Sequence, residues 1–195
     1  MTVFVPIVEG QGEVQALPAL LHRLAQRVDP ASTIRVNPPI RVKSGSFLND
    51  AAYFQRQIAL AAAKAAQSQG HVLILLDCDD ACPATLGPDL LRRACAVRGN
   101  IKMRVILAYR EYETWFLTAA DSLRGRAGLL HELTAPTEPE RHRDAKGWLS
   151  ERMTHRRYDP IIHQLEFTRA FDIEQALANA SFRRLHAYVQ EALAQ

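Results

Sequence analysis

Four carboxylates are placed where they could share a cation. Glu9 and Glu13 lie four residues apart, just after an apolar, β-branched run, and Asp77 and Asp79 lie two apart, just after a second one. In an extended chain, residues two apart point to the same side, so Asp77 and Asp79 are expected to offer oxygens to one ion while Cys78 faces the core. Residues four apart in a first helical turn share a face, which lets Glu9 and Glu13 look into one cleft if the helix begins near Gly12. Hard oxygen donors of this kind suit Mg²⁺, which keeps several waters and is often anchored by one or two carboxylates and a substrate phosphate. The bland alternatives are turn and capping chemistry for Asp77 and Asp79, and a solvated first-turn glutamate for Glu13.

The elements that must carry these side chains alternate. Residues 2–8 read as a strand, with Pro6 expected at an irregular or edge position because it cannot donate a ladder hydrogen bond. Val14, Leu17, Leu21, Leu24 and Val28 mark a helix over about 12–28. Residues 33–36 and 40–42 read as short strands, and Ser44 to Ser46 as a flexible loop. A helix follows from Asn49 to Gly70, and then an uninterrupted apolar strand, residues 72–76, of the kind covered on both faces. A helix over 86–97 and a strand over 103–108 complete the alternation.

Such a pattern predicts an α/β, Rossmann-like fold, a mostly parallel sheet with helices on both faces and ligands gathered at the carboxyl ends of the strands. Beyond residue 111 the pattern is helical, over 114–123, 141–154, 173–180 and 182–194, with Thr134 to Pro139 as a linker. We therefore expect a core over residues 1–125 and a C-terminal helical extension, 126–195, packed on it.

The chain has 195 residues, 48% hydrophobic and 23% charged, which fits one compact body and argues against extensive disorder. No run is long enough to span a membrane, and the N-terminus has no basic region or cleavage site, so a cytoplasmic location is expected. Cys78, Cys82 and Cys95 are odd in number, which argues against a disulfide framework, and Cys78 and Cys82 lack zinc-site partners and read as small core residues. The net charge of +3 is mild. Its distribution is more telling: Arg92, Arg93, Arg98, Lys102, Arg104 and Arg110 follow one another without a carboxylate, and Arg152, His155, Arg156 and Arg157 cluster beside Tyr158. We take Arg110, Arg152, Arg156 and Arg157 as candidate nucleic-acid contacts; solvated helix faces are the alternative.

The acidic motifs VEGQGEV (8–14) and LILLDCDD (73–80) together resemble the signature of Toprim domains, shared by topoisomerases, bacterial primases and overcoming-lysogenisation-defect nucleases. The Glu-Gly-x-x-Glu form is similar to the nuclease branch, which implies Glu9, Glu13, Asp77 and Asp79 as ligands of Mg²⁺ or Mn²⁺ in phosphodiester cleavage. AYREYETWFL (108–117) and the segment from Tyr158 to Ala176 look like later motifs of small stand-alone Toprim-like proteins of unknown function, often found beside ATPases. The resemblance implies a nucleic-acid substrate, DNA first, and an ATPase partner. Nothing here matches the topoisomerases' tyrosine nucleophile, so hydrolysis is expected, with Lys146 as the cation offsetting charge on the scissile phosphate. Tyr109, Tyr112 and Tyr158 read as packing or surface aromatics, Glu111 and Glu113 as helix caps or outer contacts, and His163 and Asp159 as structural. GQG at 10–12 is not a P-loop, so ATPase activity would come from a partner. A non-catalytic Toprim-fold subunit of an ATPase complex and a nucleotide phosphohydrolase are the competing readings.

Overall fold

The computed structural model describes residues 1–155 and 157–195. Among them the strands form one five-stranded, all-parallel sheet: β1 (Thr2–Val8), β2 (Ile34–Val36), β3 (Ile40–Arg41), β4 (His71–Asp77) and β5 (Lys102–Ala108), in the order β2-β1-β4-β5 with β3 also on β1. β2 and β3 pair with the two ends of β1, Thr2 to Phe4 and Ile7 to Val8, as one edge strand interrupted at Asn37, Pro38 and Pro39. The α/β, Rossmann-like reading with helices on both faces holds.

Pro6 sits inside a strand that has neighbours on both sides but opposite the point where the edge is interrupted, so of the irregular or edge position expected it takes the irregular one. The irregularity is a break in the neighbouring strand. Phe4 and Val8 accept bonds from Asn37 and Val42 on the β2/β3 side. Alternate residues of a parallel strand address the same neighbour, so Pro6 also faces that side, opposite the proline break, where no donor is called for.

Helix α1 (Glu13–Val28) covers one face, packing on Phe4, Val8, Leu73 and Leu75. The helices α3 (Ala51–Ala66) and α4 (Pro83–Val97) cover the other, against Val5, Ile7, Ile74 and Leu76. Because β1 has its chain successor β2 on one side and β4 on the other, the strand order reverses between β1 and β4. Ligand crevices of open α/β sheets form at that point, outside the carboxyl ends of the strands.

Several boundaries differ from expectation. Ser44–Asn49 forms a short helix, α2, rather than a loop, and Asp50 rather than Asn49 caps α3, its side chain accepting from the Tyr53 amide. The helix expected over 114–123 is α5 (Thr114–Thr118) followed by a 3₁₀ turn, Ala120–Leu123. That expected over 141–154 contracts to α6 (Ala145–Ser150), capped by Asp144, because Met153 instead bridges to Leu129. Pro160–Ala170 forms a helix, α7, where none was expected, and α8 (Ile173–Ala176) and α9 (Ala180–Leu193) follow. α7 has only a weak apolar stripe, yet Pro160 at its first turn and the Asp159 cap are helix-start signals. Among the described residues no helix is long and apolar enough to cross a membrane.

Candidate functional site

The chain turns sharply after β1, and Glu13, the first residue of α1, folds back over the turn. Its Oε2 accepts from the Glu9 and Gly10 amides at 3.1 and 3.2 Å. Glu9 is held from the far side by the Ser44 hydroxyl, which donates to Oε1 at 2.6 Å, while its Oε2 is buried without a hydrogen-bond partner. At the end of β4, Asp77 accepts from the Tyr112 amide at 2.8 Å. Glu9, Glu13 and Asp77 line one cleft of about 320 Å³ at the switch point between β1 and β4.

The same cleft holds Lys146 and Glu113. Glu113 is 1% exposed and accepts from the Tyr158 hydroxyl at 3.0 Å and the Gln164 amide at 3.4 Å. The Lys146 Nζ lies 3.0 Å from Glu113 and 2.7 Å from Glu111, so α6 sends one ammonium to two carboxylates beyond β5. Asp144 fixes α6 by accepting from the Gly147 amide at 2.7 Å.

Crowding of like charge sets the electrostatics. Burial, then the neighbouring Glu113 and Glu9, push the Glu13 carboxyl up to about 7 against the lowering effect of the Gly10 and Glu9 amides. Burial, then Glu13 and Glu113, hold Asp77 well above the usual carboxylate range, with Lys146 and the Tyr112 amide opposing. Burial works against the Lys146 ammonium, but Glu113, Glu111 and Asp77 outweigh it and hold its pKa above the ordinary lysine value.

Thus Glu9, Glu13 and Asp77 meet, as expected from their positions after β1 and β4, and Lys146, suggested by the family resemblance, lines the same cleft. Asp79 does not join them. β4 ends at Asp77, and the alternation that would aim Asp79 with it fails: Asp79 takes a φ of 46°, donates its amide to the Arg110 carbonyl at 3.0 Å and stands exposed outside the cleft. Glu113 occupies the acidic place beside Asp77 instead. Its signal was its position past a strand end; Tyr158 and Gln164, which hold it, come from 45 and 51 residues away and carried none.

Among the described residues, the candidate nucleic-acid contacts do not line the cleft. Arg110 pairs with Asp80 at 2.7 Å and donates to the Glu140 carbonyl at 3.1 Å. Arg152 lies over the Trp148 ring at 4.0 Å and pairs with Glu151 at 3.3 Å. Arg157 is exposed, and Arg156 lies outside the described residues. His163 is structural, its Nδ1 accepting from the Asp159 amide at 2.9 Å, and Tyr158 is a packing aromatic, buried against Phe167 with its hydroxyl on Glu113.

The donor set fits a hard divalent cation. Glu9 offers an unpartnered buried oxygen, and Glu13 and Asp77 are acids whose mutual repulsion a cation would relieve. Among the described residues, no three acidic, His or Cys side chains close on a point ready to cage an ion.

A family model described as "Domain of unknown function (DUF4276)" matches residues 8–190. No curated protein and no solved structure matches the chain.

Proposed function

Since the chain belongs to the DUF4276 family, whose description assigns no chemistry, we propose from the cleft itself that the protein is a Mg²⁺- or Mn²⁺-dependent nuclease of Toprim type, hydrolysing phosphodiester bonds of nucleic acid, DNA first. The observation that carries this reading is the meeting of Glu9, Glu13, Asp77 and Glu113 with a single lysine at the β1/β4 switch point. A structural ion-pair network would balance its charges. This one leaves an excess of carboxylate directed at an open cleft.

Glu9, Glu13 and Asp77, which line the cleft without closing on one point, would hold the metal together with its waters, and the metal when bound would activate water and stabilise developing charge on the leaving oxygen. Ser44 orients Glu9 through its 2.6 Å bond, and the Tyr112 amide orients Asp77. Lys146, half-exposed at the cleft, is placed to pair with a non-bridging phosphate oxygen, and Glu111 and Glu113 keep it protonated. Tyr158 and Gln164 fix Glu113, so the ammonium keeps its position with or without substrate.

One observation favours a second reading. Lys146 already neutralises two of the carboxylates, as it would in a non-catalytic subunit that keeps the fold. An ATPase partner goes with either reading, and the three free cysteines go with a cytoplasmic protein.

Plasmid relaxation, with Mn²⁺ or EDTA and with or without an ATPase encoded nearby, decides between them. Wild type should nick only with metal, and Asp77→Asn should lose on the order of a hundredfold in rate while still binding DNA. Equal activity of the two proteins would refute the assignment of the cleft. Absence of cleavage under every condition would make the non-catalytic subunit the correct reading.

A further inference from the structure

We propose that the groove between α3 and α4 binds the phosphate backbone of a single nucleic-acid strand on its way to the cleft. The inference rests on the nuclease reading and adds where the substrate lies. The groove, of about 820 Å³, is lined by Arg56, Arg92, Arg93 and Arg98 over a floor of alanines, with no acidic residue among its lining.

The arginines are arranged differently from those of ordinary solvated faces. Arg93 is braced, its guanidinium 4.3 Å over the Phe54 ring and donating to the Leu48 carbonyl at 3.1 Å, and Arg56 lies 5.4 Å over Tyr53. Asp89 pairs with Arg92 and, at 3.8 Å, with Arg93. Among the described residues neither Arg56 nor Arg98 is in an ion pair, so two guanidinium groups face the groove without a counter-charge.

Continuity with the catalytic end supports the assignment. Leu48, which Arg93 contacts, belongs to α2, and the first residue of α2 is Ser44, which holds Glu9. A strand leaving the cleft over α2 therefore enters the groove at the start of α3. By contrast, the guanidinium groups of Arg110 and Arg152 are occupied by Asp80 and by Glu151 with Trp148.

The groove offers four guanidinium groups around an apolar floor. The exposed large hydrophobics are Met1, Leu60, Leu130, Ile161 and Ile162, none of them in its lining, and its charged groups are cationic, which suits an anionic partner. A groove between two neighbouring helices of one layer follows a single line, and one strand supplies a single line of phosphates to its arginines.

The test is fluorescence anisotropy with a labelled oligothymidylate in EDTA, where no cleavage occurs. Arg56→Gln with Arg98→Gln should weaken binding at least tenfold and reduce the slope of log K against log salt by about 1.4, since each lost single-strand phosphate contact removes about 0.7. Ala96→Glu, on the exposed floor, should weaken it without altering circular dichroism, and Arg152→Gln with Arg157→Gln should change it little. Unchanged affinity and slope in both groove variants would overturn the proposal, as would polyglutamate competing as well as unlabelled oligonucleotide, which would assign the groove to an acidic protein. The cleft is scored separately. Loss of binding in the groove variants beside a wild type that never cleaves would refute the nuclease reading alone, whereas cleavage by a wild type whose binding ignores the groove variants would refute the groove alone.

Discussion

Glu13 shows how one side chain can serve both the fold and the site. As an acceptor for the Glu9 and Gly10 amides it shapes the turn after β1, yet burial beside Glu113 and Glu9 raises its pKa from 4.5 to about 7. The folded chain therefore holds this proton more tightly than the unfolded chain. The stability it contributes is complete below about pH 4.5 and is lost as pH rises through about 7. Glu13→Gln keeps an oxygen for both amides and removes the charge. Its melting temperature in EDTA at pH 8 should exceed that of wild type by a few degrees, about 2–4 °C per kcal/mol for a chain of this size, and its pH dependence between 4.5 and 7 should be flatter. A variant less stable than wild type at pH 8 would mean that the carboxylate is stabilising there, contrary to the burial argument.

Among the elements, α7 decides most about the site, because it brings Gln164 to Glu113 and packs along α1. Its C-terminal end is tied by Arg23, which donates to the Thr168 and Phe171 carbonyls at 2.6 and 2.7 Å. Its N-terminal end abuts Gly12, where an added Cβ would lie 2.1 Å from the Gln164 Oε1 and 2.4 Å from the Pro160 carbonyl oxygen. Gly12 has an ordinary helical φ of −65°, so its requirement for glycine is one of contact rather than conformation. Gly12→Ala should therefore displace α7 and cost on the order of 1–3 kcal/mol, read as a lower urea midpoint, while Gly45→Ala, with nothing within 4 Å, should be far milder. Equal effects at the two glycines would show that the Gly12 contact is not as tight as drawn.

At the scale of the whole molecule, the C-terminal helices complete the core. Leu20 and Leu24 of α1, Phe167 of α7 with Phe171 just after it, and Phe182 and Leu185 of α9 belong to one buried cluster that reaches the sheet through Phe4 and Leu73. Removing residues 126–195 would strip the outer layer from α1 and leave Glu113 without Lys146. A buried charge that loses its partner costs about 3–5 kcal/mol, before the exposed apolar surface is counted. The fragment 1–125 should accordingly show no cooperative unfolding transition, and the full chain a single one, by circular dichroism in urea. A fragment that unfolds cooperatively near the midpoint of the full chain would make the extension an independent layer.

The sequence alone determined what depends on near neighbours. Uninterrupted apolar runs and helical stripes specified the alternation of strands and helices, and hence the parallel sheet. The carboxylates directly behind those runs, Glu9 and Asp77, were bound to emerge at its carboxyl ends. Only the tertiary structure decided the membership of the cleft. Asp79 left it because one backbone angle, a φ of 46° just past the strand, cancels the alternation that a strand would impose. Glu113 entered it because Lys146, Tyr158 and Gln164, distant in the chain, converge on its side chain. Pro6 lies inside the sheet because its neighbour is broken opposite it, a match between two strands that neither segment encodes by itself. Local spacing constrains where a side chain leaves the backbone; what it meets there is set by contacts between segments far apart in sequence.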